Sequence, residues 1–188
     1  VADYVLSVKA GNTVSNLSST RALADVTRKA GGEYFAAAVG EVNVVTQMKA
    51  VNAIIGGEGN GGVIFPESHY GRDSLVGIGL FLTHLANKGI KASELRASYP
   101  AYVISKNKIE LSADLNVDLI LATVAEKYKN EKVNTIDGVK IDFPDRWVHL
   151  RKSNTEPIIR IYAEASSEAE ADTLAQQIIH VIEEIAKA

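Results

Sequence analysis

Arg151-Lys152-Ser153-Asn154-Thr155-Glu156-Pro157 is a polar, basic stretch, and the apolar run Ile158-Ile159-Arg160-Ile161-Tyr162 follows it directly. Pro157 ends the polar stretch, and the β-branched residues after it predict a strand. A second predicted strand, 147–150, precedes it, so the local pattern is strand, loop, strand. The loop offers guanidinium, hydroxyl and amide donors, which suit a phosphate dianion. A capped surface turn that is basic by chance explains the same residues.

The sequence around this loop predicts an α+β module. Residues 102–111 alternate like a strand, and 133–136 and 139–143 flank Asp137-Gly138, a typical hairpin signal. Residues 116–129 and 167–187 carry apolar side chains at helical spacing. We therefore expect several antiparallel strands backed by two helices.

The first half of the chain predicts a different architecture, an α/β layer fold in which short strands alternate with helices. Its clearest helix begins at Asp73, as the N-cap, and ends before Gly89. A short predicted helix, 93–98, ends before Pro100, which marks a boundary region. We place the first domain at 1–96 and the second at 97–188. The other predicted elements are strands at 13–17, 33–38, 54–55 and 63–65, and helices at 1–9, 20–29 and 42–54.

Composition excludes several classes of function. The 188 residues have a net charge of −3, which argues against a nucleic-acid-binding protein. The longest apolar candidate, 75–85, contains two glycines, a threonine and a histidine, so we expect no membrane span. The chain has no cysteine, which fits a reducing compartment, and we expect the cytoplasm. The first residue is Val1 and the first predicted helix has no start signal, so we expect a piece of a longer polypeptide.

A second informative stretch is Gly56-Gly57-Glu58-Gly59-Asn60-Gly61-Gly62. Its glycines, including Gly59 and Gly61, allow a backbone to approach a ligand closely. Glu58 can accept two hydroxyl hydrogen bonds, and Asn60 can both donate and accept, which suits vicinal sugar hydroxyls. A flexible hairpin tip with a solvated Glu58 is the alternative.

Four histidines are candidates for proton transfer or metal binding. His69 is a candidate proton carrier because its side chain titrates near neutrality, although a loop histidine with no task is equally consistent. Arg72-Asp73 is interpreted as a helix cap with a local ion pair. No two histidines have metal-ligand spacing, so we expect no metal site in this chain. His84 is predicted to be packed, His149 to be structural and His180 to lie on the surface.

Taken together, these stretches resemble the C-terminal half of the α-D-phosphohexomutases. Arg151 to Pro157 matches the phosphate loop R-x-S-N/G-T-E/T-P of the family's fourth domain. Gly57-Glu58-Gly59-Asn60-Gly61 matches the sugar-binding loop G-E-x-S/N-G of its third domain. Arg72-Asp73 precedes a long helix as in the family, although Ser74 stands where many relatives have glycine. The resemblance covers nearly all of the chain.

The resemblance implies reversible phosphate transfer between the 1- and 6-positions of a hexose. In the family, a phosphoserine of the first domain donates its phosphoryl group and a hexose 1,6-bisphosphate is the intermediate. A Mg²⁺ ion assists, bound by a D-x-D-x-D-R loop of the second domain. Neither loop is present here, so the resemblance implies that the chain is inactive without N-terminal domains of the same polypeptide.

The resemblance also assigns residues. The non-transferred phosphate of a phosphorylated hexose is bound by a clamp of Arg151, Ser153, Asn154 and Thr155, with Arg160 as a further member. Glu58 and Asn60, with Gly59 and Gly61 beside them, bind the sugar 3- and 4-hydroxyls. The glycine-rich loop favours a phosphoglucosamine mutase over a phosphomannomutase or phosphoglucomutase. A non-catalytic phosphosugar-binding module is the alternative, and a scaffold with vestigial loops is a third.

Overall fold

The computed structural model describes residues 1–110, 112, 115–153 and 158–187. They form two compact units, Val1–Pro100 and Ala101–Ala188. The division falls after Pro100, whereas the sequence prediction places it after residue 96. Within the described parts of the chain, no helix combines the length and apolar character that crossing a membrane would require.

The first unit is a four-stranded sheet with helices. In chain order its elements are α1 (Ala2–Val8), β1 (Thr13–Asn16), α2 (Ala22–Lys29), β2 (Tyr34–Ala37), α3 (Glu41–Ala50), β3 (Ile55–Gly57), β4 (Val63–Ile64), α4 (Ser74–Lys88) and α5 (Ala92–Ala97). The strand order is β2-β1-β3-β4. β1 pairs in parallel with β2 and β3, and β4 is antiparallel to β3.

Alternation along β1 places helices on both faces of this sheet. Thr13 is fully buried and its hydroxyl lies 2.7 Å from that of Thr27 on α2. Val14 faces the other way and packs in a buried cluster with Val44 and Met48 of α3. Successive strand residues point to opposite faces, so α2 and α3 cover opposite sides. The predicted α/β layer class is confirmed.

The helix ends show where the local signals were sufficient. The side chain of Asp73 caps α4 by accepting a hydrogen bond from the backbone N–H of Val76 at 3.0 Å, and Gly89 ends the helix in a left-handed conformation. The predicted helix 42–54 is too long, because α3 ends at Ala50. Asn52 has a φ of 50°, which stops the helix before the strand β3 begins.

The second unit is a five-stranded antiparallel sheet. Its elements are β5 (Val103–Glu110), α6 (Val117–Lys127), β6 (Lys132–Asn134), β7 (Val139–Asp142), β8 (Trp147–Lys152), β9 (Ile158–Ala165) and α7 (Glu168–Lys187). The strand order is β5-β9-β8-β7-β6. One continuous apolar core joins α6 and α7 to one face of this sheet, which confirms the predicted α+β class.

Two predictions in this unit are corrected. The hairpin β6–β7 does not turn on Asp137-Gly138 alone, because β6 ends at Asn134 and β7 begins at Val139, so residues 135–138 all lie in the connection. The strand β8 continues to Lys152, so Arg151 lies in the strand rather than in the loop. Consecutive strand residues face opposite sides, so Arg151 and Lys152 point away from each other.

Candidate functional site

The carboxylate of Glu58 lies directly after β3, at the end of the first unit's sheet. Its side chain is only 5% exposed. Oε1 accepts a hydrogen bond from Nδ2 of Asn16 at 3.2 Å, and Oε2 lies 3.2 Å from Nη1 of Arg72, which donates to it. Glu58 is therefore not a solvated tip residue, and that reading of the loop is wrong. An ionised carboxylate accepts about four hydrogen bonds, so these contacts leave capacity for a ligand.

The loop around Glu58 is a compact five-residue turn. The N–H of Glu58 donates to the carbonyl of Gly62 at 2.9 Å, and the N–H of Gly61 donates back to the carbonyl of Glu58 at 3.0 Å. Gly59 is exposed beside the backbone of Ser18. Asn60 is exposed, and its Oδ1 accepts from the N–H of Gly62 at 3.3 Å. The turn is thus fixed by its own hydrogen bonds before any ligand binds.

A cavity of about 380 Å³ adjoins this loop. Its lining includes Glu58, Gly59 and Gly61 together with hydroxyl residues of the β1–α2 connection. Ser19 of that connection donates to Oδ1 of Asn16 at 2.8 Å, which fixes the amide that faces Glu58. The carboxylate and hydroxyl groups of this otherwise mainly apolar lining suit a ligand with several hydroxyl groups.

His69 lies apart from this arrangement. Its Nε2 is 3.0 Å from Oδ2 of Asp73, the capping residue of α4, and the ring is half exposed. The pKa of Asp73 is lowered, mainly by the backbone hydrogen bond from Val76 and then by the hydrogen bond from His69. These contacts assign His69 to the helix cap, and a role in proton transfer stays a prediction.

In the second unit, Arg151 lies in a row of three cations. Arg151 on β8 pairs directly with Arg160 on β9, and Arg160 pairs with Lys108 on β5. Directly paired residues share a face, and like charges in such positions are destabilising. Arg160 is exposed, and within the described parts of the chain it makes no ion pair. A cavity of about 320 Å³ is lined by Lys108 and Arg160, among others. Lys108 also contacts the carboxylate of Glu110 at 3.1 Å. The exposed Arg160 is therefore the member of the row that is most open to an anionic ligand.

Arg151 is partly engaged within the protein. Its Nε lies 2.8 Å from Oδ2 of Asp137, and its side chain is 27% exposed. The pair is therefore neither buried nor fully open to solvent. Lys152, on the other face, contacts both carboxylate oxygens of Asp118 on α6 at 2.7 Å. Of the two adjacent basic residues, only Arg151 shares a face with Arg160.

The rest of the predicted clamp is described in part. The N–H of Ser153 donates to the carbonyl of Ile158 at 3.0 Å, which closes the β8–β9 connection. Asn154 and Thr155 lie outside the described residues. Within the described ranges, no group of three or more histidine, aspartate and glutamate side chains could hold a metal ion.

A buried histidine supports the Asp137–Arg151 pair. His149 lies two residues before Arg151 on β8, and its Nε2 donates to the backbone carbonyl of Asp137 at 2.7 Å. Burial lowers the pKa of His149 to about 4, against the opposing effect of that hydrogen bond. His149 is thus a neutral structural residue, as predicted. His84 is buried as expected, and His180 is exposed.

The sequence analysis missed three residues of the Glu58 site: Asn16, Glu41 and Arg72. Asn16 ends β1, and Glu58 follows β3, the parallel neighbour of β1. Ligands of open α/β sheets bind at the carboxyl ends of strands, so this rule could have identified Asn16. The contact of Arg72 with Glu58 joins residues that are 14 positions apart, and no local pattern indicates it.

Comparison with known proteins agrees with both units. Residues 1–102 match the family model of phosphoglucomutase/phosphomannomutase, alpha/beta/alpha domain III, and residues 106–181 match the C-terminal domain of the same family. A phosphoglucomutase/phosphomannomutase of Thermococcus kodakarensis is 38% identical over 190 residues, which cover all of this chain and 41% of that protein.

Two further similarities extend this result. A phosphoglucosamine/phosphogalactosamine mutase of Sulfurisphaera tokodaii is 40% identical over 147 residues, which are 77% of this chain and 32% of that protein. The crystal structure of a phosphoglucomutase/phosphomannomutase family protein from Burkholderia thailandensis superimposes with a TM-score of 0.79 at 28% identity, covering 99% of this chain and 40% of that one. The chain spans about one third to two fifths of the length of these proteins. It belongs to the phosphoglucomutase/phosphomannomutase family, of which it carries domain III and the C-terminal domain.

Proposed function

We propose that the protein carrying this chain is a phosphohexomutase that interconverts hexose 1-phosphates and 6-phosphates, with glucosamine phosphate as the favoured substrate. The favoured sugar is supported by the Sulfurisphaera tokodaii relative, which is named for glucosamine and galactosamine phosphates. The observation that carries the proposal is the buried Glu58 carboxylate, held between Asn16 and Arg72 beside a cavity. Such a group is an acceptor for sugar hydroxyls.

The reaction divides the work between this chain and other parts of the protein. A phosphoserine outside these 188 residues gives its phosphoryl group to the free hydroxyl of the sugar phosphate. The hexose 1,6-bisphosphate turns over, and its other phosphoryl group returns to the serine. The Mg²⁺ that the family implies finds no ligand cluster among the described residues, so we assign its ligands to other domains. We place the enzyme in the cytoplasm, in keeping with a chain without cysteine.

In this proposal the chain binds the sugar phosphate and orients it for phosphoryl transfer. Arg151 and Arg160, with Ser153, Asn154 and Thr155, hold the phosphate that is not being transferred. Glu58 and Asn60 hold the hydroxyls. Binding energy at the remote phosphate then orients the reacting end of the sugar. Because the transferring serine is not among these residues, we expect the 188-residue chain alone to show no turnover.

The test is a substitution at Arg151 in the intact enzyme. Arg151→Met removes a charged phosphate contact, which is worth about 1.5–3 kcal/mol, so KM for glucosamine 6-phosphate should rise at least tenfold. Lys129→Met is the matched control, because it removes one charge from the same unit at a side chain that is 65% exposed. Equal KM values for the two variants would contradict the proposed clamp. Competition among glucosamine, glucose and mannose phosphates decides the preferred sugar.

A further inference from the structure

Arg72 is held from several directions at once. It follows β4 immediately before α4, and its backbone is fixed by a β-bridge to Ile64. Its N–H donates to Oε1 of Glu41 and its Nε to Oε2 of the same carboxylate, both at 2.9 Å. Its Nη1 donates to Oε2 of Glu58 at 3.2 Å. A planar guanidinium with two carboxylate partners has little rotational freedom left.

The burial of Glu58 makes this contact necessary. The side chain of Glu58 is 5% exposed, whereas that of Arg72 is 48% exposed. A carboxylate removed from water is costly unless it is paired and hydrogen-bonded. Asn16 supplies one neutral donor, and among the described residues Arg72 supplies the only positive charge that contacts Glu58. Arg72 therefore supplies the positive charge that compensates the buried carboxylate of Glu58.

The loop is shaped to let the arginine approach. A β-carbon at Gly62 would lie 2.7 Å from Cδ of Arg72 and 3.1 Å from its Cγ. These distances are too short for a carbon–carbon contact, which needs about 3.5 Å. Glycine at position 62 thus makes room for the aliphatic part of Arg72 at the turn that carries Glu58. The close packing at Gly62 and the ion pair therefore both hold Arg72 against Glu58.

We propose that Arg72 is a positioning residue of the sugar-binding site. It pairs with the Glu58 carboxylate and orients it, and Glu41 fixes Arg72 in turn. An ionised carboxylate only accepts hydrogen bonds, so the ligand group it selects is a hydroxyl that donates, as in a vicinal diol. The inference rests on the proposed function of Glu58 and extends it to a residue that need not touch the sugar.

The experiment compares variants of the intact enzyme on a hexose 6-phosphate and on its 3-deoxy and 4-deoxy analogues. Arg72→Met should raise KM for the parent sugar at least tenfold. It should also reduce the ratio of kcat/KM for the parent sugar to kcat/KM for the deoxy analogue. A Glu58 carboxylate that Arg72 no longer orients forms a weaker hydrogen bond with the sugar hydroxyl. Arg72→Lys should restore part of both effects, since it returns the charge without the fork. Gly62→Ala should act in the same direction, because it displaces the arginine while leaving its charge intact.

The control is Arg28→Met, which removes an arginine on α2 that is 64% exposed and whose ion-pair partner among the described residues is Asp25. It should leave KM and the preference unchanged. The proposal is overturned when Glu58→Gln abolishes the preference for the hydroxyl but Arg72→Met leaves it intact. When Glu58→Gln itself leaves the preference intact, the proposed role of Glu58 fails and this inference fails with it. Should Arg72→Met not fold, Arg72→Lys and Glu41→Gln carry the same comparison.

Discussion

Acid should destabilise the second unit through His149. The side chain is almost fully buried in β8, and it donates to the carbonyl of Asp137 in its neutral form. Burial disfavours the charged imidazolium and lowers the pKa to about 4. The unfolded chain binds a proton at this residue near pH 6.5, whereas the folded chain does not. Protonation therefore favours unfolding.

The magnitude and the pH window follow from these two values. Each unit of pKa is worth about 1.4 kcal/mol, so a fall from 6.5 to about 4 amounts to about 3 kcal/mol. Above pH 6.5 His149 is neutral in both the folded and the unfolded chain, so it costs no stability. The free energy of unfolding then decreases as the pH falls from 6.5 toward 4. By pH 4.5 about 2.5 kcal/mol of it should be gone.

The assay is urea unfolding at pH values from 7.5 to 4.5, followed by tryptophan fluorescence. The chain has one tryptophan, Trp147, which is buried in the second unit, so the signal reports on that unit. The matched variant is His149→Gln, whose amide can still donate but does not titrate. His180→Gln, at an exposed position of α7, is the control.

Below pH 6.5 the free energy of unfolding of the wild type should fall faster than that of His149→Gln. Both proteins contain the same carboxylates, so the difference between their free energies of unfolding isolates the effect of His149. If the free energies of unfolding of the two proteins fall in parallel down to pH 4.5, the argument from burial is refuted. The His180→Gln variant should follow the wild type throughout.

Three further predictions concern a helix cap and two glycines. Asp73→Ala removes the cap of α4 and should cost about 1 kcal/mol, read as a lower urea midpoint of the first unit by circular dichroism, with Asp73→Ser retaining most of it. Gly138→Ala should cost more than about 2 kcal/mol by Trp147 fluorescence, because its φ is 73° and the new β-carbon would lie 2.0 Å from the carbonyl oxygen of Leu150. Gly79→Ala is the contrasting case, since nothing lies within 4 Å of that β-carbon on α4, and it should stabilise by up to about 1 kcal/mol. A Gly138→Ala variant as stable as the wild type, or a Gly79→Ala variant less stable than the wild type, would contradict these two predictions.

Local signals predicted the elements whose ends are marked by their own residues. Helix α4 was placed correctly because Asp73 and Gly89 lie at its two ends. Helix α3 was predicted too long because apolar residues of the next strand continue its pattern. Its end depends on Asn52 and on the side chain of Asn12, which donates to the carbonyl of Val51 at 2.9 Å across 39 positions. A sequence pattern does not show such a contact.

The same limit applies to the two candidate binding loops, one in each unit. The residue types at Glu58 and Arg151 are consistent with sugar and phosphate binding, but local chemistry left a plain surface turn open for each loop, and the family resemblance made the assignment. The partner of Glu58 is Arg72, which lies in the β4–α4 connection. The partner of Arg151 is Asp137, which lies in the β6–β7 connection and is brought close by the pairing of β7 with β8. The alternation of Trp147, His149 and Arg151 along β8 does identify the face on which Arg151 lies. What it contacts there depends on how β7 pairs with β8.

The two partners have opposite consequences for binding. Arg72 donates to Glu58, so it orders the carboxylate and leaves acceptor sites for ligand hydroxyls, which makes pairing and binding compatible. Asp137 contacts the Nε of Arg151, so a phosphate must share this guanidinium with a carboxylate of its own sign. Arg160 and Lys108 in the same row supply positive charge that offsets this repulsion. The first unit therefore presents a preformed acceptor, whereas the second presents a row of cations of which Arg151 and Lys108 each already contact a carboxylate. A dianion gains most from such a row when it contacts Arg160, the member that makes no ion pair in the described chain.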